Sequence, residues 1–587
     1  MISPLPVTLS DRTQDEERLF HASRRRFVNY LLLGSATAWL ASHSGSSFAS
    51  AVLPQGPIMT NPQQPGSTIA TAPIVQTSAG KVRGVDAGRT LAYKAIPYGA
   101  PTGGEHRFHS PKPASPWQGV RDCMDYGATA PQGAFRFGSV DSTHSAPANS
   151  VRASLAQALM GMKGEPQPSS EDCLFLNVFT PAIDAAKRPV MVWLHGGGFS
   201  MGSASTELYD GGALAHHGDV VVITLNHRLH APGFLYLGDV SQDYASSANA
   251  GMQDIVLALQ WIRDNITAFG GDPKNVTLFG QSGGGQKVGV LMAMPSAAGL
   301  FHKAIMQSGP ADRVVPQADA ALLTRRFMEK LGLSPADLHK LHDADISELL
   351  QAAGAVQFPV FNLSSALAPV VDGNVLPAQP FAQAAPEISR DIPLMVGTTK
   401  DEFIPFLAGI PNLLQLSHQQ AREHAAQMIP NGGTNLYDMY LQATPGEAPL
   451  YLLNDLLTDL RFWSGSVHIA ELKAAQRAAP VYMYRLIWEA PGFGGFLRSP
   501  HGLDISLVFG NLDIARTLIG EGQVPEKISN EMMSAWTSFA RHGDPSLPQL
   551  AWPVYHAGHR ATMEFSAETK VTDDPLSERR LFWRQHA

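Results

Sequence analysis

Between residues 174 and 281 the chain alternates short apolar runs with one clearly amphipathic stretch. Leu174, Phe175, Leu176, Val178 and Phe179 form the first run, Val190 to Leu194 the second and Val220 to Leu225 the third. The last two are almost unbroken, a pattern expected of strands covered on both faces in a largely parallel sheet. Met252, Ile255, Leu259 and Ile262 then recur on one helical face, with Asp254, Gln260 and Asp264 assigned to the others. Val276, Leu278 and Phe279 predict another short buried strand, and the apolar run at 288–294 predicts the helix after it. Strand patterns return at 392–397 and 481–486. A last amphipathic helix near 531–539 stops before His542-Gly543-Asp544-Pro545, where Gly and Pro terminate helices. Strands alternating with helices predict an α/β fold with a mostly parallel central sheet flanked by helices.

The remaining segments are less regular. Residues 74–77 and 80–84 predict two short strands around a turn, and 95–101 a rigid loop. Residues 130–170 are polar and punctuated by Gly, Pro and Ser, with a short helical pattern at 154–162. A connection that long is expected to act as a lid or a substrate wall. Residues 311–390 are helical in pattern and read as an inserted cap.

Composition narrows the function classes. The 587 residues are 44% apolar and 16% charged with a formal charge of −8, which is ordinary for a globular protein and lacks the basic excess that nucleic acid attracts. At the N-terminus, Ser23-Arg24-Arg25-Arg26-Phe27-Val28 precedes an apolar run through Leu31, Leu32, Leu33 and Trp39, and Ala49-Ser50-Ala51 offers a small-residue cleavage site. Residues 1–51 therefore resemble a twin-arginine signal, 52–73 read as a Pro/Gln/Ser-rich linker and 74–587 as the folded domain. The expectation is a periplasmic or secreted protein with no membrane anchor after the signal is removed.

The candidate chemistry centres on Gly280-Gln281-Ser282-Gly283-Gly284, a G-x-S-x-G between a predicted strand and a predicted helix. Such an elbow holds the serine on a strained turn, and its glycines let strand and helix approach. A serine hydroxyl needs a base, usually a histidine steadied by a carboxylate. In hydrolases with this elbow the chain order is Ser, then acid, then His. Glu402, just beyond the strand at 392–397, is the acid candidate, with Asp401 competing. His501, in the loop Ser499-Pro500-His501-Gly502, is the base candidate; His418, His424 and His468 lie in helical stretches, and chain order alone leaves His542, His556 and His559 open. His195-Gly196-Gly197-Gly198-Phe199, directly after a strand, offers uncovered backbone N–H groups for an oxyanion. No zinc spacing, phosphate loop or dinucleotide fingerprint is present, so neither cofactor nor metal is expected.

Taken together these residues resemble the type-B carboxylesterases, the α/β-hydrolase family that includes bacterial para-nitrobenzyl esterases, fungal lipases and cholinesterases. The likeness runs through Ala95-Ile96-Pro97-Tyr98, residues 171–178, His195 to Phe199, Asn249-Ala250-Gly251, residues 269–273, the serine elbow, Asp401-Glu402 and His501-Gly502. It implies an α/β-hydrolase fold with helical cap insertions, a Ser282-Glu402-His501 triad and an oxyanion hole from the N–H groups of Gly197, Gly198 and Gly283. It also implies hydrolysis of neutral carboxylic esters through an acyl-enzyme. An amide or carbamate hydrolase would use the same site, whereas a non-catalytic binding relative would lack the nucleophile. Three positions depart from the family pattern: Gln281 stands where Glu is usual, Gly283 where Ala is usual and Phe403 where Gly is usual, the last with the expected effect of narrowing the site. The family's first disulfide joins the Cys173 position to a cysteine absent here before Pro131-Gln132, which leaves Cys123 as the partner Cys173 could bond in an exported protein.

Overall fold

The computed structural model describes residues 70–132, 168–356, 367–429 and 431–586. The signal reading, nearly all of the linker and the helical pattern at 154–162 lie outside them. The strands are β1 (Thr71–Gln76), β2 (Lys81–Asp86), β3 (Leu91–Pro97), β4 (Val120–Asp122), β5 (Phe175–Thr180), β6 (Arg188–Leu194), β7 (Val221–Leu225), β8 (Gly271–Gln281), β9 (Lys303–Gln307), β10 (Val315–Pro316), β11 (Val370–Val371), β12 (Leu394–Thr399), β13 (Val481–Leu486), β14 (Ala561–Phe565) and β15 (Lys570–Asp573). All but β10 and β11 join one sheet in the order β1-β2-β3-β5-β7-β6-β8-β9-β12-β13-β14-β15, with β4 beside β2.

Neighbours from β7 through β14 are parallel, while β1, β2, β3, β5 and β15 add antiparallel edges. Connection length explains the division. A tight turn closed by Thr77 N–H donating to Gly80 O, 2.9 Å, forces β1 and β2 antiparallel, whereas the helices Gly212–Gly218 and Gly283–Leu291 carry the chain from β6 to β7 and from β8 to β9, parallel neighbours in each case. The parallel block is consequently covered on both faces. Val190 and Val192 of β6 pack into one core with Met252, Ile255, Leu259 and Ile262. Met191 and Trp193 point into the other, where Trp193 meets Phe279 and Phe509 with ring centroids 4.9 Å apart in each case. Each fully buried side chain of this size contributes about 1.5–3 kcal/mol.

Several expectations are corrected. The first strand among the described residues starts at Thr71, inside the stretch read as linker. Ala95, Ile96 and Pro97 belong to β3 rather than to a loop: Ala95 has φ +52° and the pairing with β5 slips between Tyr93 and Ile96, a bulge that breaks the alternation by which a strand is recognised. Asp254 is fully buried, with Arg228 donating to its Oδ1 at 2.6 Å and to its Oδ2 at 2.9 Å. Removing either partner would strand a charge in the core at a cost of about 3–5 kcal/mol. Cys123 and Cys173 are both free, buried thiols, and burial pushes the Cys123 thiol up to about 11.

A candidate ester-hydrolase site

The elbow forms because β8 ends at Gln281 and the helix Gly283–Leu291 starts immediately after the serine. Ser282 bridges them at φ +58°, ψ −125°, a conformation that a non-glycine residue keeps only under constraint from its surroundings. Part of that constraint is the bond from Ser282 N–H to Gln307 O on β9, 2.8 Å. The flanking glycines make the close approach feasible. A Cβ at Gly284 would lie 1.9 Å from Leu194 O, and one at Gly280 would lie 2.6 Å from the Gly284 carbonyl carbon.

Glu402 and His501 come together, and Asp401 does not compete. Glu402 is fully buried beyond the end of β12; its Oε1 accepts from Thr399 N–H at 2.7 Å and its Oε2 lies 2.5 Å from His501 Nδ1. Asp401 accepts instead from Ser499 N–H, 3.2 Å, and the Asn454 amide, 3.3 Å. Burial raises its pKa to about 7. Its own N–H donates to Ser499 O at 2.8 Å, so Asp401 positions the loop that carries His501. On the far side of the imidazole, His501 Nε2 faces the Gln281 amide nitrogen at 3.1 Å. A carboxylate on one side and an amide donor on the other set the tautomer, with the proton on Nδ1 and a lone pair on Nε2.

The glycine loop after β6 supplies the third component. Gly197 and Gly198 have φ +89° and +62°, and among the described residues their N–H groups donate to no protein acceptor. Gly283 is the first helical residue, whose N–H has no partner within the helix. The carbonyls of the loop are turned away and satisfied. Met201 N–H donates to Gly197 O at 3.2 Å, and the Lys287 ammonium donates to His195 O at 3.0 Å and Gly198 O at 2.9 Å. Lys287 is fully buried, and desolvation pulls its pKa down to about 7.

Sequence reasoning missed four residues around this arrangement. Lys287 was hidden in an apolar helix, where a lone lysine reads as a solvent-facing residue. Gln307, on β9, carries no motif. Phe406 and Phe462 pack on His501 with ring centroids 5.3 and 4.9 Å away, and Phe403 lies behind them, 5.1 Å from Phe406. The aromatic wall at the histidine is therefore built by residues other than the Phe403 singled out from the sequence.

The sequence model of the Carboxylesterase family matches residues 71–583, almost the whole described chain. The chain belongs to the carboxylesterase family. A para-nitrobenzyl esterase of Bacillus subtilis is 36% identical over 520 residues, covering 87% of this chain and 98% of the relative. A phenmedipham hydrolase of Pseudarthrobacter oxydans is 31% identical over 84% of this chain and 95% of its own. Among solved structures, a Geobacillus stearothermophilus carboxylesterase superposes with a TM-score of 0.73 at 36% identity, covering 87% of this chain and 99% of that one. This carboxylesterase is thus a serine hydrolase of carboxylic esters with the α/β-hydrolase fold, the parallel sheet presenting β6 and β8 side by side at the site.

Proposed function

We propose that Ser282 is the nucleophile, His501 the general base and Glu402 the acid of this carboxylesterase, with the N–H groups of Gly197, Gly198 and Gly283 as the oxyanion hole. The observation that carries the reading is the Glu402 to His501 contact of 2.5 Å on the loop side of the serine elbow. Ser282 Oγ attacks the ester carbonyl carbon while His501 Nε2 takes its proton, and the amides hold the oxygen that becomes anionic. Collapse of the tetrahedral intermediate breaks the bond to the alcohol, which leaves with the proton from His501. A water deprotonated by the same nitrogen then releases the acid. Glu402 remains a carboxylate throughout and steadies the imidazolium. For Nε2 to serve Ser282, the amide of Gln281 must give up its bond when substrate enters.

Ser282→Ala and His501→Ala are each expected to lose on the order of 10⁴-fold in turnover while staying folded, and the double variant to lose no more than either alone. An organophosphonate adduct mapped by mass spectrometry to a residue other than Ser282 would sink the assignment. The substrates are neutral esters, and the relatives named para-nitrobenzyl esterase and phenmedipham hydrolase support a screen of p-nitrobenzyl esters beside a carbamate.

Export through the paired arginines belongs to the same reading, supported by Arg24, Arg25 and the Ala49-Ser50-Ala51 site. Arg24→Lys with Arg25→Lys is expected to leave the precursor in the cytoplasm. Appearance of the trimmed doubly substituted protein outside the cytoplasm would favour an ordinary secretory route.

A further inference from the structure

Lys287 sits five positions after Ser282, on the helix that the serine precedes, fully buried, and among the described residues no carboxylate forms an ion pair with it. Its Nζ reaches the two ends of the glycine loop, His195 O at 3.0 Å and Gly198 O at 2.9 Å, and lies 5.5 Å from the centre of the Phe199 ring. A buried ammonium needs hydrogen-bond acceptors, and here two backbone carbonyls provide them. Peptide geometry gives this a consequence for the loop, because fixing the carbonyls at both ends limits how the intervening peptide planes can turn.

A second, independent observation concerns Gly283. A Cβ built there would lie 2.3 Å from Gly198 O, 2.5 Å from Gly198 Cα and 2.6 Å from Gly198 N. An alanine methyl at 283 would thus need the space taken by Gly198, the residue whose carbonyl Lys287 holds. A buried lysine and the glycine after the serine meet at one residue, Gly198.

We propose that Lys287 is the positioning residue of the oxyanion hole, its ammonium holding the His195 and Gly198 carbonyls so that the Gly197 and Gly198 amides stay aimed at the ester oxygen, in a placement that requires glycine at 283. The proposal rests on the assignment of Ser282 and the glycine amides given above. Lys287 touches neither substrate nor reacting atoms; it acts through the backbone it holds.

The test is a double-mutant cycle on the full chain with Lys287→Met and Gly283→Ala, using a p-nitrophenyl ester and a trifluoromethyl ketone, whose hemiketal oxygen occupies the oxyanion hole. Turnover is counted per site titrated by an organophosphonate, so loss of folded protein is separated from loss of rate. Lys287→Met should lower kcat per site about 10²-fold, the scale of one lost oxyanion donor, with KM changed less than about threefold. Ketone affinity should fall by a similar factor. Gly283→Ala should lose at least as much, because its methyl meets a carbonyl still held by the lysine. The combined variant should sit near 10² rather than 10⁴, since Gly198, no longer held through its carbonyl, can shift as a whole off the methyl. Lys287→Gln, which keeps a donor, should recover part of the loss, and it replaces Lys287→Met in the cycle should that protein not fold. Losses that multiply, or a Lys287 variant with fewer titratable sites but wild-type kcat per site and ketone affinity, would overturn the proposal. Failure of the underlying assignment shows separately, as wild-type phosphonate labelling away from Ser282.

Discussion

Lys287, on the Ser282 side of the centre, and Arg579, behind the His501 side, are cations drawn in from solvent, the first fully and the second in part, yet they are satisfied by different means. Lys287 has two carbonyl dipoles. Arg579, on the helix Ser577–His586, has two carboxylates: it bonds Asp459 through Nε and lies 3.2 Å from Asp455 Oδ2. Asp459 also accepts from Tyr440 OH at 2.5 Å and opens the π-helical turn Asp459–Trp463, which carries Phe462 against His501. The dipole-held cation therefore governs backbone direction beside the serine. The ion-paired one anchors an element that packs on His501. Loss of charge should accordingly damage geometry on the first side and stability on the second.

The largest stability effect expected from this contrast is at Arg579. Arg579→Met leaves two carboxylates without their cation and should lower unfolding stability by about 3 kcal/mol, while kcat per titrated site stays within a few-fold of wild type. Lys287→Met removes a charge whose burial is itself unfavourable, so its denaturation midpoint should move much less than its kcat. Parallel urea titrations and per-site kinetics on the two variants decide the matter; equal midpoint shifts would erase the contrast.

A smaller effect is expected from pH. Beside Lys287 the rings of His195 and His227 stack 4.9 Å apart, and burial pulls His195 down to about 3 and His230 to about 4, with His227 also depressed. These histidines are neutral in the fold, whereas in the unfolded chain they bind a proton near pH 6.5. The unfolded state thus holds more protons below that pH. Stability is intact above about 6.5 and is lost as pH falls towards 4 and 3, by about 1.4 kcal/mol per pH unit for each histidine. Lys287 has the same sign in another window, since its folded value of about 7 lies below the ordinary 10.5, and stability rises with pH between them. His195→Asn should flatten the acid-side slope by one proton. An unchanged slope in urea titrations at pH 7, 6 and 5 would show that His195 takes no part in it.

What was legible in the sequence is what backbone geometry imposes on residue type. The elbow needs glycines at 280 and 284 because Leu194 O lies in the way of a side chain. Apolar runs marked β6, β7, β8 and β12 because strands covered on both faces admit little else. Charge misled where tertiary partners reverse its usual preference for water. Asp254 looked like a solvent-facing position until Arg228 was placed against it, and Lys287 gave no signal within its apolar helix. Residue type alone left Asp401 and Glu402 competing, since adjacent carboxylates differ only in which way the chain turns beyond β12; the family resemblance selected Glu402. β14 and β15 passed unnoticed because each is only four or five residues long; the alternation of Ala561 to Phe565 would also send Glu564 to solvent, whereas it is buried against Arg485 at 2.9 Å.

Gln307 joins these parts in a way no single bond suggests. Its carbonyl takes the N–H of Ser282, its amide nitrogen donates to Asp504 Oδ2 at 2.9 Å, and its amide oxygen accepts from Trp536 at 3.1 Å. Asp504 lies in the helix Leu503–Phe509, which begins two residues beyond His501. Ser282, through the backbone, and the helix after His501, through the amide, are thus both tied to Gln307 of β9. A substitution at Gln307 would therefore loosen both ends of the centre at once, although the residue touches neither side chain that the centre is built on.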